Sequence, residues 1–451
     1  MVTSIANLIA WMRDCDTLQD CYDFQRCLFG YLYETQERHQ QCSRIVKRLA
    51  RGSTLPADAP EPPPTGDPQQ LDTWELELYI YERLIRQLRM VGDGLAWTCY
   101  GYDRRAIVTL SRNQSPGLFY NKPGVHGELA AIDELWKSKG HFALHHDSTN
   151  CLRIADLTEF TEAGCVFIEV KTGSRRKKEQ VERAQAAVDA INNGGVLPGS
   201  NGDDNRLVQL KEPYVTNLKQ LHDLLQLAKR DGCHGMKLTQ GRALVSSYLP
   251  AMTVRWGHDM EAASDALDTT KRQAYKRAGI ATAIHHIIGY SGDTASRSPI
   301  MAPWSIYPFS PIDCASLICD MLVFDTTVSA DALVESLERA GLASEVLLAP
   351  ADVKLEGDMP VIRAHWRDRA VTWHALGLNQ LLYELAEPDA LARGIREVLL
   401  TDDSPDYPTL VYANEAASWF SAPRKRRKRA HLAFSASDDP GLALMATRCT
   451  R

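Results

Sequence analysis

The sequence predicts an α/β protein with a helical N-terminal region, a central unit in which a small sheet lies between two helices, and an α+β C-terminal domain. Three observations carry this. Apolar residues recur at helical spacing through much of residues 1–95, three short strand-like runs follow one another between 142 and 171, and helical and strand-like stretches mix beyond 250.

Composition sets the outer limits. At 451 residues the chain exceeds the roughly 250–300 at which a single core stops growing, so several domains are expected. Hydrophobic residues at 44% and charged residues at 24% exclude wholesale disorder. The net charge of −6, from 51 basic and 57 acidic residues, confines any nucleic-acid role to a local patch. No run of 18 apolar residues occurs, so no membrane span is expected. The start, Met1 to Met12, lacks the basic region and cleavage site of a secretory signal. Eleven cysteines without a CxxC pair point to reduced thiols and no structural zinc site. The expected location is the cytoplasm, or the nucleus in a eukaryotic cell.

The divisions read along the chain are a helical region with a proline-rich connector over 1–95, a central domain over 96–250, an α+β domain over 251–420, and a basic, flexible tail over 421–451. Leu8, Ile9, Met12, Leu28, Leu32 and Ile45 mark buried helical positions in the first fifty residues. Prolines from Pro56 to Pro68 then make an extended connector. Asp72 reads as an N-cap paired with Glu75, ahead of Leu76, Tyr79, Ile80, Leu84 and Leu88 at helical spacing. The picture is a helical hairpin that serves packing or pairs two copies of the chain.

Ala106–Leu110 reads as a strand or a short entry element, and Gly127–Lys139 as a helix ended by Gly140. Strands are expected over Phe142–His146, Cys151–Phe160 and Cys165–Lys171, and a helix over Glu179–Asn192. Further on, Arg206–Lys211 reads as strand and Tyr214–Arg230 as helix. Helices are expected over Ala262–Ile288, Ala330–Ala340 and Leu376–Leu400, with strands around Met321–Thr326, Glu345–Leu348 and Val361–Val371.

The informative segment runs from Arg153 to Lys171. A four-residue loop at Thr161–Gly164 sets Phe160 opposite Cys165, Thr158 opposite Phe167 and Asp156 opposite Glu169. Opposed residues share a face, with Cβ atoms roughly 4.5–5.5 Å apart. Lys171 falls on the same face, while Val166, Ile168 and Val170 point to the other and build a core. Facing acids destabilise a sheet, and a divalent cation explains them economically, with water and a substrate phosphate completing its octahedron. A solvated ladder of charges is the bland alternative. Glu128 falls on the buried side of the stripe made by Leu129, Ile132, Leu135 and Trp136. There it either uses the helix dipole or completes the metal shell.

At these residues the chain resembles the PD-(D/E)XK, restriction-endonuclease-like nuclease superfamily. Asp156 looks like its first-strand aspartate, Glu169-Val170-Lys171 like its ExK element, and Glu128 like its helix-borne acid. The resemblance covers about residues 120–195. Ala155 stands where the name-giving proline often sits, and neither Gln180 nor Gln185 is followed four residues later by an aromatic, as in some exonuclease-type members. The resemblance implies a restriction-endonuclease-like core and hydrolysis of phosphodiester bonds with Mg²⁺ (or Mn²⁺), in DNA, with RNA the alternative substrate. Asp156, Glu169 and Glu128 would hold metal, and Lys171 would position the attacking water. Large flanks around such a core resemble a bacterial defence or genome-maintenance effector. With no phosphate-binding loop in the chain, any motor or sensor is a separate protein.

Weaker signals surround this centre. Arg175, Arg176, Lys177 and Lys178 precede a helix and suit a phosphate backbone, or form a solvated loop. Arg424, Lys425, Arg426, Arg427, Lys428 and Arg429 form an uninterrupted basic run, read as a phosphate-binding arm or a nuclear-localisation signal. His145, His146 and Asp147 could orient substrate, but a strand-end histidine pair is more often structural. His285 and His286 read as core of an apolar helix, and Trp304, Tyr307 and Phe309 as packing residues. The competing function is a non-catalytic module that binds nucleic acid or protein through a nuclease-like fold.

Overall fold

The computed structural model describes the chain except residues 56–58, 60–66, 68, 112–115, 163, 171–177, 194–195, 198–204, 210–214, 284, 293–299, 349–359, 402–408, 413–433 and 437–451. Three helices open it: α1 (Val2–Arg13), α2 (Leu18–Leu49) and α3 (Leu71–Cys99). Thr17 and Asp20 form a reciprocal capping box that starts α2. The expected cap at Asp72 is not made. Gln70 holds the N-cap position of α3 without a side-chain bond, and Asp72 lies in the first turn.

The helical hairpin is present. Trp74 of α3 packs with Cys42 and Ile45 of α2. The second half of α3 is buried on every side from Gln87 to Trp97, so it runs through the middle of the molecule. Gly92 permits this passage, because a Cβ there would overlap the Ser148 carbonyl. The Arg13 guanidinium at the end of α1 donates to the carbonyls of Ser305, Tyr307 and Phe309. That anchor fixes Trp304, Tyr307 and Phe309 as buried packing residues.

Residues 106–110 correct the first strand expectation. They lie in helix α4 (Arg104–Ser111), where Ala106, Ile107 and Leu110 share the buried face. Next come α5 (Pro123–Lys139), β1 (Phe142–His145), a 3₁₀ turn (His146–Ser148), β2 (Leu157–Thr161), β3 (Gly164–Ile168) and α6 (Lys178–Asn193). The expected order of helix, three strands and helix is therefore present. The middle strand is shorter than expected because the preceding backbone bonds elsewhere. Asn150 and Cys151 N–H groups go to Asp93, those of Arg153 and Ile154 go to Leu110 O, and Ala155 sits at φ 64°.

The remaining elements are β4 (Val196–Leu197), β5 (Asn205–Gln209), α7 (Leu218–Asp231), β6 (Cys233–Thr239), β7 (Arg242–Tyr248), α8 (Leu249–Trp256), α9 (Met260–Ala278), β8 (His286–Tyr290), α10 (Pro311–Ile318), β9 (Leu322–Ser329), α11 (Ala330–Arg339), β10 (Ala343–Val346), β11 (Pro360–Trp366), β12 (Arg369–His374), α12 (Ala375–Tyr383), α13 (Pro388–Thr401), β13 (Thr409–Tyr412) and β14 (Phe434–Ala436). The sheet orders are β1-β2-β3-β14, β13-β5-β4, β6-β7-β9-β8 and β10-β11-β12. β14 lies parallel to β3 and β13 parallel to β5; the other pairs are antiparallel.

Several expectations are corrected here. The helix expected through Ile288 ends at Gly279, a left-handed cap at φ 71°, and His286 opens strand β8. The single helix over 376–400 is two, broken where Leu385 turns left-handed ahead of Pro388. The strand over 361–371 is the hairpin β11–β12, turned at Arg367. The boundary expected at residue 250 cuts across a sheet, since β7 before it pairs with β9 beyond it from Arg242 to Tyr248. One buried cluster runs from Ile5 through Trp97, Phe167 and Leu225 to Phe324. Arg104 and Glu384 form a buried two-pronged ion pair at 2.6 and 2.7 Å, tying α4 to the segment after α12.

Candidate active site

The β2–β3 hairpin positions the expected acids. Its register is as predicted from Thr161↔Gly164 through Phe160↔Cys165 and Thr158↔Phe167 to Leu157↔Ile168. Ile168 and Val170, with Val166 half-buried, pack against Ala131, Ile132 and Leu135 of α5. The opposite face carries Cys165 and Phe167 into the main core. Glu169 lies between Ile168 and Val170, so alternation turns it to the face of Phe167.

Beyond Leu157 the ladder bends. The flat pair expected between Asp156 and Glu169 is replaced by an irregular strand end. The Asp156 N–H donates to Ile168 O at 3.1 Å, and its carboxylate Oδ2 accepts from the Val170 N–H at 2.7 Å. The left-handed Ala155 is the cause, since it swings the chain out of the sheet just before Asp156. Asp156 is thus brought against the backbone that flanks Glu169. Lys171 lies outside the described residues, as do Arg175, Arg176, Lys177 and the run Arg424 to Arg429. Lys178 begins α6, and its side chain lies outside them too.

Glu128 has a partner that the sequence did not indicate. It enters from the α5 side, and its Oε2 lies 2.8 Å from His145 Nε2. The other ring nitrogen of His145 lies 2.7 Å from Ser148 Oγ. The His145 N–H donates to Gln25 Oε1, and Phe29 and Phe119 stand edge-on to the ring. α2 also builds the approach to α5, because Gln36 Oε1 accepts from the N–H groups of Phe119 and Tyr120. Among the described residues no three His, Cys, Asp or Glu side chains form a group that could hold a metal ion. The partner seen for the Glu128 carboxylate is His145.

His146 is a structural residue. Its Nε2 lies 2.7 Å from Thr158 Oγ1, which lies 2.8 Å from the Tyr100 hydroxyl. Burial, with the neighbouring His145 adding to it, pushes its pKa down to about 3. Its backbone N–H donates to Asp156 O, which docks β1 against the bent strand.

A charged layer supports this corner, and of its members the sequence reading singled out only Asp147. Asp147 meets Arg153 at 3.4 Å and Lys122 at 3.5 Å. Burial alone would raise the Asp147 carboxyl, but His145, Lys122, Arg153 and Arg89 together hold it below its ordinary value. Arg89 donates to the carbonyls of Asp147 and Gly117, and burial followed by the charge of Arg153 pushes it down to about 10. Burial raises the Asp93 carboxyl despite its bonds to Asn150 and Cys151. Only the charge of Arg89 and Asp93 inside an otherwise apolar helix could have signalled these two from the sequence.

The chain matches no family model, no curated protein and no solved structure. Its chemistry therefore rests on the geometry. Asp156 has one oxygen fixed by the N–H of Val170, the residue that follows Glu169 in the chain. Two carboxylates suffice for Mg²⁺, which keeps several waters and takes the rest of its octahedron from a phosphate. The donor set fits a hard divalent cation.

Proposed function

We propose that the chain is a Mg²⁺- or Mn²⁺-dependent nuclease acting on DNA in preference to RNA. The observation that carries this reading is the Asp156–Val170 hydrogen bond, which brings the carboxylate before β2 to the strand end bearing Glu169. Asp156 and Glu169 would hold the cation, which supplies charge neutralisation at a phosphodiester and a more acidic water. Lys171, two residues after Glu169, positions the attacking water. Glu128 acts through His145, keeping that ring oriented beside the strand that meets Asp156. The basic stretches 175–178 and 424–429 grip the phosphate backbone. Among the described residues no helix is long and apolar enough to cross a membrane. A cytoplasmic or nuclear effector of defence or genome maintenance, working with a separate motor or sensor, fits these parts.

A second reading has an observation in its favour. One oxygen of Asp156 and one of Glu128 are spent on bonds within the protein, as in a fold that binds nucleic acid or protein without cutting. Purified protein incubated with DNA or RNA, with Mg²⁺ or Mn²⁺ and then with chelator, separates the two. Metal-dependent cleavage that is lost in Asp156→Asn and Glu169→Gln supports the nuclease. Cleavage at wild-type rate in both variants, or none under any condition, sinks it.

A further inference from the structure

The first half of α3 packs on α2 through Trp74 and leaves its opposite side in solvent. On that side Leu76, Tyr79 and Ile80 are 57%, 52% and 42% exposed. Isolated exposed apolar residues need no explanation, but these three sit within five residues on one helix face. The stripe continues in both directions. Asp72, Leu76, Tyr79, Arg83 and Arg86 follow one another at spacings of four, three, four and three residues, the repeat of a two-helix seam.

The charges on this stripe are arranged symmetrically about Tyr79. Glu75 and Arg83 lie four residues to either side, about 6 Å along the axis, and Asp72 and Arg86 lie seven residues to either side, about 10 Å. We infer that α3 pairs antiparallel with α3 of a second copy of this chain, about a two-fold axis through Tyr79. In that pairing each Asp72 and Glu75 faces an arginine of the other copy, and the apolar turn is covered by its own image. Parallel pairing would set acid against acid and arginine against arginine. Glu82 is held off the seam by His39 of α2, at 3.4 Å. Arg83 is steadied by the Tyr79 hydroxyl and Asp320, and its side chain stays partly open.

Sedimentation velocity of the full chain over a range of concentrations tests this. The wild type should dimerise, and Ile80→Glu should be monomeric with an unchanged circular dichroism spectrum. Asp72→Arg and Arg86→Asp should each weaken association at least about tenfold, roughly 1.4 kcal/mol. The double variant, which exchanges the two charges, should recover it. Recovery is the decisive arm, because misfolding or a merely damaged surface would not be repaired by a second reversal. A wild type that stays monomeric overturns the inference. So does a dimer that withstands Ile80→Glu, or a double variant no tighter than the single ones.

Discussion

His145 stands between two partners, Glu128 Oε2 at 2.8 Å from one ring nitrogen and Ser148 Oγ at 2.7 Å from the other. The helix-borne acid thereby fixes a histidine at the end of β1, and the histidine fixes the turn that leads toward Asp156. In the proposed nuclease such an acid would act by holding the frame of the site.

Glu128→Gln keeps the size and much of the hydrogen bonding of the side chain while removing its charge. Cleavage should fall about tenfold, equivalent to roughly 1.4 kcal/mol. If Glu128 acts through His145, its partner in the fold, excess Mg²⁺ or Mn²⁺ should not restore the rate. Recovery at high metal in a full titration would return Glu128 to the metal shell. Thermal melts of Glu128→Ala, His145→Ala and the double variant should show a coupling of about 1–2 kcal/mol.

The bond of Asp156 to Val170 and its proposed metal role can be separated by substitution. Asn still offers an oxygen to the Val170 N–H, so Asp156→Asn should fold normally and lose cleavage at least about a hundredfold, roughly 2.7 kcal/mol. Asp156→Ala also leaves that N–H without its acceptor and should lower stability by about 1–3 kcal/mol. Lys171→Ala should abolish turnover with no change in melting temperature. Wild-type rates in Asp156→Asn would show that the carboxylate serves the fold alone.

One buried and one half-buried group give the stability opposite pH dependences. His146 is held neutral with its pKa pushed down to about 3 by burial, whereas the unfolded chain binds that proton near the ordinary value of 6.5. Its share of the stability is complete above about pH 6.5 and is lost on the way down to 3, at up to about 1.4 kcal/mol per unit. Asp325 of β9 is raised to about 6 by burial, so it favours unfolding above that pH and ceases to do so as pH falls from 6 toward 4. Denaturant melts should therefore show Asp325→Asn stabilising the protein at pH 8, on the order of 2 kcal/mol. In His146→Gln the loss between pH 6.5 and 4 should be smaller than in the wild type. Parallel pH profiles for all three proteins would contradict both assignments.

Removing Arg424 to Arg429 should weaken nucleic-acid binding and flatten its salt dependence by about one unit of slope for each phosphate no longer neutralised. The metal requirement should be unaltered. Equal affinity and equal slope after the deletion would assign the run to targeting or to a protein partner.

The hairpin was legible in the sequence because Val166, Ile168 and Val170 alternate cleanly and Thr161–Gly164 supplies turn chemistry. Its last pair was not, because nothing in the run Ile154-Ala155-Asp156 marks Ala155 as left-handed. Ile107-Val108-Thr109 reads as strand from its β-branched side chains, yet burial of Ala106, Ile107 and Leu110 on one face makes it a helix. His286 was misplaced for the converse reason, since the apolar residues around it belong to a strand that pairs with β9. The partner of Glu128 depended on how α5 docks on β1, and Gln25 reaches His145 from 120 positions away. Local pattern holds no information on either.

Arg104 lies at the start of the central region and meets its acid 280 positions later, in Glu384. A fragment cut to residues 96–250 would bury a guanidinium with no counter-charge, a defect of about 3–5 kcal/mol when one member of such a pair is missing. It would also strip β7 of the neighbour it needs in β9. The hairpin is consequently not a portable cassette. Grafting it onto another protein, or expressing it by itself, transfers the acids without the packing and ion pair that support the hairpin here.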